Sequence, residues 1–196
     1  MKYALTNDTI ELNGITLHRI QAMTDIPAMG VTAGDLGGYI EKVENLAQEG
    51  NAWVFGKARV SGNASVYENA SVYENAWVYG NAWVYGDARV SGDARVSGNA
   101  WVSENAKVTG NAWVSQGNYT TVVLSMNMNP YPVNPQYPNH MQVGCKLFEI
   151  PATKEDAIAT MEQNKISKKY HEQMWLAAQM CKQWLTDNPE QINKGE

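Results

Sequence analysis

One stretch decides the fold of this chain: residues 75–98 read NAWVYG NAWVYG DARVSG DARVSG. The same six-residue pattern extends over residues 45–116, with valine at every sixth position from Val54 to Val114 and alanine two positions before each valine. Eleven such hexads follow an imperfect one that begins at Asn45. A short fixed period of this kind predicts a repeat architecture, because each repeat is a unit that stacks on its neighbours.

The pattern within each hexad fits a short strand followed by a corner. Alanine and valine two positions apart point to the same side of a strand, whereas a helix does not return to one face every six residues. The Gly-Asn, Gly-Asp or Glu-Asn pair that follows supplies the bend, since Gly and Asn tolerate the left-handed conformation of a sharp corner. Three strands close a coil of about 18 residues, so residues 45–117 predict about four coils around a dry interior of Ala and Val.

This arrangement resembles the left-handed parallel β-helix of hexapeptide-repeat proteins, in which an aliphatic residue fills the middle of each wall. The resemblance implies the fold class: mainly β, with a left-handed parallel β-helix (a hexapeptide-repeat solenoid) of about four coils. The left hand of the coil follows from the resemblance alone. Both open ends of such a solenoid need a cap, because each end is an edge of unpaired backbone.

Residues 1–44 are predicted to form the N-terminal hairpin and cap. Apolar and polar residues alternate on both sides of Asn13-Gly14, a dipeptide that is a strong signal for a β-hairpin. The glycine-rich residues 34–40 then form a lead-in that we expect to fold onto the first coil.

Residues 118–196 are predicted to form a small C-terminal α/β domain. Strands are expected over residues 119–126 and 141–148. The four prolines between them predict a polyproline-like, proline-rich loop at residues 129–140. Two helices follow, with predicted N-caps at Thr153 and Ser167 and with the second helix ending before Pro189.

Two segments carry a second resemblance. Residues 34–41 (GDLGGYIE) and 45–54 (NLAQEGNAWV) resemble the opening of hexapeptide-repeat proteins that are widespread in phages and prophages. The tail after Val143-Gly144-Cys145 is similar to the domain that ends many of these proteins. The resemblance implies a viral or virus-derived origin and transfers no catalytic residue to this chain.

The composition excludes several classes of function. Acidic residues outnumber basic ones 20 to 15 and the net charge is -5, which gives no electrostatic affinity for nucleic acid or an anionic membrane.

The sequence has neither a signal peptide nor an apolar run near the roughly 18 residues of a membrane span, so we expect a cytoplasmic protein, in the host cell's cytoplasm if it is phage-encoded. Cys145 and Cys181 make no disulfide framework or metal knuckle, and both are expected to be reduced and buried.

Catalysis is not expected. The best-known hexapeptide-repeat enzymes are acyltransferases with a histidine base and γ-class carbonic anhydrases with three zinc-binding histidines, and both need histidine on or near the coils. His18, His140 and His171 all lie outside residues 45–116. We therefore predict no catalytic residue, no metal and no cofactor.

The residues on either side of each repeat valine are expected to face solvent, beginning with Trp53 and Phe55. A coil of about 18 residues sorts them onto three walls. One wall alternates cationic and aromatic residues, so that each guanidinium can lie over an indole: Arg59, Trp77, Arg95 and Trp113. Another wall concentrates four large aromatic residues: Tyr67, Trp83, Tyr85 and Trp101.

Exposed aromatic patches mark interfaces, because Trp and Tyr left in water lower solubility. A partner interface or self-interface is predicted at eight residues: Tyr67, Trp77, Tyr79, Trp83, Tyr85, Trp101, Tyr131 and Tyr137. Related solenoids commonly trimerise, so we expect a homo-oligomer, either a dimer or a trimer. The alternative is that the stacked rings only stabilise the ladder of strands.

The favoured hypothesis is a non-catalytic, phage-type binding protein that acts by protein–protein interaction on a host protein of unknown identity. One version is an inhibitor of a host defence system, such as a CRISPR effector; the resemblance and the small size motivate it. The alternatives are an acyltransferase-like enzyme and an oligomer that sequesters a small nucleotide signal in aromatic clefts between subunits. DNA mimicry is disfavoured, because the charges on the repeat balance.

Overall fold

The computed structural model describes residues 1–119, 126–128, 131–136, 140–143, 146–164, 166–168 and 171–187. The chain divides into two compact units, Met1–Val123 and Leu124–Glu196. The first unit contains a parallel β-solenoid of about four turns, and the second contains a small sheet and two helices. The prediction of a mainly β solenoid is therefore confirmed.

The strands of the first unit are short, apart from those at its two ends. They are β1 (Tyr3–Leu12), β2 (Ile15–Ala22), β3 (Leu36–Ile40), β4 (Trp53–Val54), β5 (Arg59–Val60), β6 (Ser65–Val66), β7 (Ser71–Val72), β8 (Trp77–Val78), β9 (Trp83–Val84), β10 (Arg89–Val90), β11 (Arg95–Val102), β12 (Lys107–Val108) and β13 (Trp113–Tyr119). Two single-turn 3-10 helices also belong to this unit: Pro27–Met29 lies between β2 and β3, and Val43–Asn45 lies between β3 and β4.

Strands 18 residues apart pair in parallel and form three walls. The register places Arg59 beside Trp77 and Val60 beside Val78. Wall A consists of β3, β5, β8, the first part of β11 and the start of β13. Wall B consists of β6, β9, the last part of β11 and the end of β13, and wall C consists of β4, β7, β10 and β12.

Alanine and valine fill the interior of the solenoid. Every repeat alanine from Ala52 to Ala112 and every repeat valine from Val54 to Val114 is at most 1% exposed. Burial of apolar area stabilises a fold by about 25 cal/mol per Å², and here each coil contributes the same small side chains. The interior is a continuous packed core, as the alternation within each hexad predicts.

The corners take the left-handed conformation that the Gly-Asn pairs predict. Gly80 has φ 71°, and Glu68 and Glu74 adopt φ 59° and 58° although they are not glycine. Their carboxylates bond to the next coil: Glu68 Oε2 accepts from the Gly86 backbone N–H at 2.8 Å, and Glu74 Oε2 accepts from that of Gly92 at 2.5 Å. These charge-assisted bonds offset the backbone cost of a non-glycine corner.

The N-terminal hairpin is confirmed. β1 and β2 pair antiparallel around Asn13 (φ 52°) and Gly14 (φ 79°), two positive values that suit a tight hairpin turn. β3 then pairs antiparallel with β2 and parallel with β5, where Tyr39 lies beside Arg59. The glycine-rich lead-in thus joins the hairpin directly to wall A.

Trp53 is buried, so the prediction that it faces solvent is wrong. Its side chain is 1% exposed, and Tyr3 packs edge-on against the indole with the ring centroids 6.2 Å apart. The Tyr3 hydroxyl donates to Leu46 O at 2.7 Å, and Lys2 Nζ donates to Ala52 O at 2.9 Å. Burial lowers the pKa of Lys2 to about 8. The N-terminal segment covers this hexad, and a hexad pattern cannot show which wall a cap will cover.

The second unit contains an antiparallel sheet and two helices. The strands, in their order across the sheet, are β14 (Met126–Met128), β15 (Tyr131–Gln136), β16 (His140–Val143) and β17 (Lys146–Glu149). The helices are α1 (Lys154–Gln163) and α2 (His171–Asp187). Neither described helix combines the length and the apolar character needed to cross a lipid bilayer.

Two predictions for this unit are wrong. The loop expected over residues 129–140 contains β15, which pairs antiparallel with both β14 and β16. The φ of proline lies within the extended region, so Pro132 and Pro135 restrict the ladder without preventing a strand. The single strand expected over residues 141–148 is the hairpin of β16 and β17. The strand expected over residues 119–126 falls largely outside the described residues.

The first helix begins where its cap predicts. Thr153 Oγ1 accepts from the Asp156 backbone N–H at 3.1 Å, which satisfies one of the free donors of the first turn. The second helix ends before Pro189 as predicted but begins at His171, later than a cap at Ser167 would place it.

The apolar side of α2 is buried in the second unit. The described residues that it buries are Met174, Ala177, Ala178, Cys181 and Leu185. Cys181 is a free thiol, and burial raises its pKa to about 12. The prediction of a reduced, buried residue is confirmed for Cys181, whereas Cys145 lies outside the described residues.

Candidate functional site

Wall B carries four contacting aromatic side chains, named here the aromatic cluster: Tyr67, Trp83, Tyr85 and Trp101. The indoles of Trp83 and Trp101 are stacked, with centroids 5.4 Å apart and planes 7° apart. The rings of Tyr67 and Tyr85 are stacked at 4.9 Å and 4°. Tyr67 also meets Trp83 edge-on at 6.2 Å. The parallel register produces these stacks, since it places Trp101 directly beside Trp83 on neighbouring strands.

The two indoles remain open to solvent despite their stacking. Trp83 is 43% exposed and Trp101 is 42% exposed, while Tyr67 and Tyr85 are half-buried. Burial raises the pKa of the Tyr67 hydroxyl to about 12, with smaller contributions from Tyr85 and Glu68. Large aromatic rings side by side on a flat wall are typical of interface hot spots.

Wall A also carries a tryptophan, Trp77, which contacts polar, charged and aromatic side chains of the same wall. Trp77 Nε1 donates to Ser61 Oγ at 3.1 Å, and the Arg59 guanidinium lies 5.7 Å from the centre of the Trp77 ring. Tyr79 packs against Trp77 with centroids 4.3 Å apart. Two of the predicted interface residues, Trp77 and Tyr79, therefore lie on a different wall from the aromatic cluster.

The same arrangement recurs two coils later on wall A. The Arg95 guanidinium lies 5.8 Å from the centre of the Trp113 ring, and Trp113 Nε1 donates to Ser97 Oγ at 3.1 Å. Guanidinium–indole contacts are thus present for the two pairs Arg59–Trp77 and Arg95–Trp113. The expectation that the residues beside each repeat valine face solvent is wrong at Ser61 and Ser97, which are 2% and 5% exposed because an indole lies against each. It is also wrong at Ser71 and Ser103, which are each 2% exposed.

The remaining predicted interface residues belong to the second unit. Tyr131 lies in β15, and Tyr137 lies outside the described residues. The structure therefore brings together Tyr67, Trp83, Tyr85 and Trp101, and places the other two solenoid residues around the corner on wall A.

The histidines considered for catalysis lie in separate elements. His18 is in β2 with Nδ1 3.2 Å from Thr6 O, and His171 begins α2 with Nε2 3.0 Å from Ile166 O. His140 lies in β16. In the part of the chain that the structure describes, His, Cys, Asp and Glu nowhere form a group of three that could hold a metal ion.

Two features of wall C were not predicted. Phe55 and Tyr73 stack at 4.6 Å and 10°, and a polar cleft opens between the wall and the 3-10 helix Pro27–Met29. The 18-residue spacing of Phe55 and Tyr73 could have shown the stack. The cleft could not be found from the repeat, because one of its sides is the N-terminal segment.

One family model matches part of the chain. It is described as the YdcK Beta solenoid repeat and matches residues 88–104, a segment that contains β10 and β11. The match agrees with the solenoid architecture of this segment. A comparison with curated proteins gives no match.

Proposed function

We propose that this chain is a non-catalytic binding protein and that its aromatic cluster is a protein–protein interface. The observation that carries the proposal is the stacked pair Trp83 and Trp101, each of which stays more than 40% exposed. Exposed tryptophan adds nothing to the stability of a single chain beyond what its stacked face contributes.

A comparison of two identical hexads supports an interface over a purely structural ladder. Trp77 and Trp83 both belong to the sequence NAWVYG, but Trp77 has Ser61 as a hydrogen-bond acceptor. The equivalent neighbour of Trp83 is Tyr67, and the Trp83 indole nitrogen has no hydrogen-bond partner among the described residues. A buried indole N–H normally finds an acceptor, so a protein that covers this wall can supply one.

The two corners beside wall B differ in charge, which favours a second copy of this chain as the occupant. One corner is a ladder of amides in which each side chain donates to the next at 3.2 Å: Asn63, Asn81 and Asn99. Lys42 Nζ donates to the first of these at 3.2 Å. The other corner carries three carboxylates, Glu68, Asp87 and Glu104, beside the amides Asn69 and Asn105.

This asymmetry selects an orientation for the second copy. Two walls B that face each other with their solenoid axes parallel bring the acidic corner of each chain against the amide corner of the other. An antiparallel arrangement would instead bring acid against acid, which like charges disfavour. We therefore propose a parallel self-association through wall B, in which carboxylates accept from amides on both sides of the aromatic contact.

The test is the double variant Trp83→Ser with Tyr85→Ser. Loss of two aromatic hot-spot residues should weaken self-association by at least about thirtyfold, since a single such residue contributes about 2 kcal/mol or more at an interface. Sedimentation equilibrium over a range of protein concentrations measures the change, and circular dichroism should show an intact solenoid.

The matched control changes the identical hexad on wall A, Trp77→Ser with Tyr79→Ser. This variant should keep the association constant but melt at a lower temperature, because it loses the bond to Ser61 and the contact with Arg59. If the wall A variant weakens association as much as the wall B variant does, the assignment of the interface to the aromatic cluster is wrong.

We further propose that the self-associated chain is a phage-type protein that acts in the cytoplasm of its host, where it engages a host protein such as a defence effector. The support is the resemblance of residues 34–41 and 45–54 to the opening of hexapeptide-repeat proteins of phages. A host effector that is inhibited by the wild-type chain and not by the Trp83→Ser, Tyr85→Ser variant supports this version. Equal inhibition by both chains would contradict the use of the aromatic cluster.

A further inference from the structure

A polar cleft of about 300 Å³ lies on wall C, away from the aromatic cluster. Ala28 and Met29 of the 3-10 helix form its apolar side. The rest of its lining is polar and comes from six residues: Asn51, Asn69, Ser71, Tyr73, Asp87 and Arg89. Its volume is at the lower limit of the roughly 300–1,000 Å³ of small-molecule sites.

An oriented row of side chains forms one edge of the cleft. Asn51 Nδ2 donates to Asn69 Oδ1 at 2.8 Å, and Asn69 Nδ2 donates to Asp87 Oδ1 at 3.1 Å. The row ends at Asp87, whose second carboxylate oxygen has no partner among the described residues. The row fixes the Asp87 carboxylate and leaves one charged acceptor at the cleft.

Ser71 lies in the lining of the cleft and is 2% exposed. Its hydroxyl forms no hydrogen bond within the part of the chain that the structure describes. The buried hydroxyls of Ser61 and Ser97, by contrast, each accept from an indole. The Ser71 hydroxyl is not sealed from solvent, and the cleft is the place where a ligand can bond to it.

Arg89 is exposed on β10 and supplies the positive charge. Arg59 and Arg95 each lie over an indole, whereas Arg89 has no ring contact, ion pair or side-chain hydrogen bond to any described residue. It is two residues from Asp87 but does not pair with it. The cleft therefore presents one positive and one negative group that form no ion pair with any described residue, although Asp87 accepts one hydrogen bond from Asn69.

We propose that this cleft binds a small zwitterion, of which a free amino acid is the simplest kind. Arg89 binds its carboxylate, Asp87 binds its ammonium group, and the Ser71 and Tyr73 hydroxyls complete the hydrogen bonds. One positive and one negative charge in the lining match a ligand of zero net charge and disfavour a phosphate or a nucleotide. The site lies on wall C and shares one residue, Asp87, with the acidic corner of the proposed interface.

The experiment uses the full chain and the twenty common amino acids as probes. Saturation-transfer NMR finds which of them bind, and calorimetry measures the affinity of each hit. We expect binding of at least one free amino acid and none of its N-acetyl amide, which has the same side chain and neither charge. No binding of any of the twenty at millimolar concentration would overturn the proposal, as would equal binding of the amide.

The hexads DARVSG at residues 87–92 and 93–98 provide a matched pair of variants. Arg89→Gln should weaken binding by about tenfold or more, because a charge-assisted hydrogen bond is lost. Arg95→Gln, the equivalent change on wall A, should leave the affinity unchanged. The same loss in both variants would show that Arg89 has no specific role and would overturn the assigned site.

Ser71→Ala separates a ligand site from a structural defect. The variant should bind the amino acid more weakly and keep the melting temperature of the ligand-free chain within about 2 °C, since the hydroxyl bonds to no described residue. A lower melting temperature would show that Ser71 already has a structural partner and would contradict the proposal. Self-association should be unaffected by Arg89→Gln and Ser71→Ala, because neither residue belongs to the proposed interface.

Discussion

Replacing Val84 by aspartate should abolish the folded solenoid. Val84 is fully buried and lies in register between Val66 and Val102 in the core behind wall B. A carboxylate at this position would have no charged or hydrogen-bonding partner, and burial of an unpaired charge costs several kcal/mol. That cost is comparable to the whole stability of a typical domain, about 5–15 kcal/mol.

Circular dichroism and thermal melting measure this effect, with Thr109→Asp as the control. Thr109 is exposed on wall C, so the same charge should be tolerated there within about 0.5 kcal/mol. A Val84→Asp protein with the spectrum and melting temperature of the wild type would show that the repeat valines do not form the core.

Gly38→Ala should cause the second largest loss, by forcing the lead-in strand away from the first coil. A Cβ at Gly38 would lie 2.6 Å from Ala58 O and 2.7 Å from Val54 Cγ1. Ala58 O already accepts from the Tyr39 backbone N–H at 2.9 Å, so it cannot move without breaking the pairing of β3 with β5. We expect a loss of about 3 kcal/mol in the free energy of unfolding.

Gly56→Ala is the control for this prediction. Gly56 has φ 59°, and nothing lies within 4 Å of a Cβ added there. This variant isolates the cost of the left-handed conformation, about 1–2 kcal/mol. Denaturant unfolding of both variants compares the two costs. The prediction is wrong if Gly56→Ala lowers the free energy of unfolding more than Gly38→Ala does. That result would show that the close approach of β3 to the first coil does not explain the glycine at position 38.

The features that the sequence predicted correctly depend on local rules. The period of six places valine and alanine on one side of each strand, Asn13-Gly14 specifies the hairpin, and Thr153 caps the first helix. Each of these signals lies within a few neighbouring residues and is the same wherever it occurs. Long-range packing does not change them.

The features that the sequence did not predict depend on contacts between distant segments. Trp53 and Trp77 occupy the same position of the hexad, but only Trp53 is covered by Tyr3 from the N-terminus. The prolines of β15 read as a loop locally, yet two neighbouring strands hold the segment extended. In each case tertiary contacts override the local preference.

The aromatic cluster was predicted from the sequence in part. The register of 18 residues correctly places Trp83 beside Trp101, which makes the composition of each wall readable from the sequence. It does not show which tryptophan stays exposed, since Trp77 and Trp83 have identical hexads. The difference comes from one coil earlier, where Ser61 contacts Trp77 and Tyr67 contacts Trp83.

The most direct test of the proposed interface is fluorine NMR of the chain labelled with 5-fluorotryptophan, recorded as the protein concentration is raised. Single Trp→Phe variants assign the seven signals. The signals of Trp83 and Trp101 should shift or broaden as the chains associate, while that of the buried Trp53 stays constant. Association without any change at Trp83 and Trp101, or no association at any concentration, would contradict a self-interface on wall B.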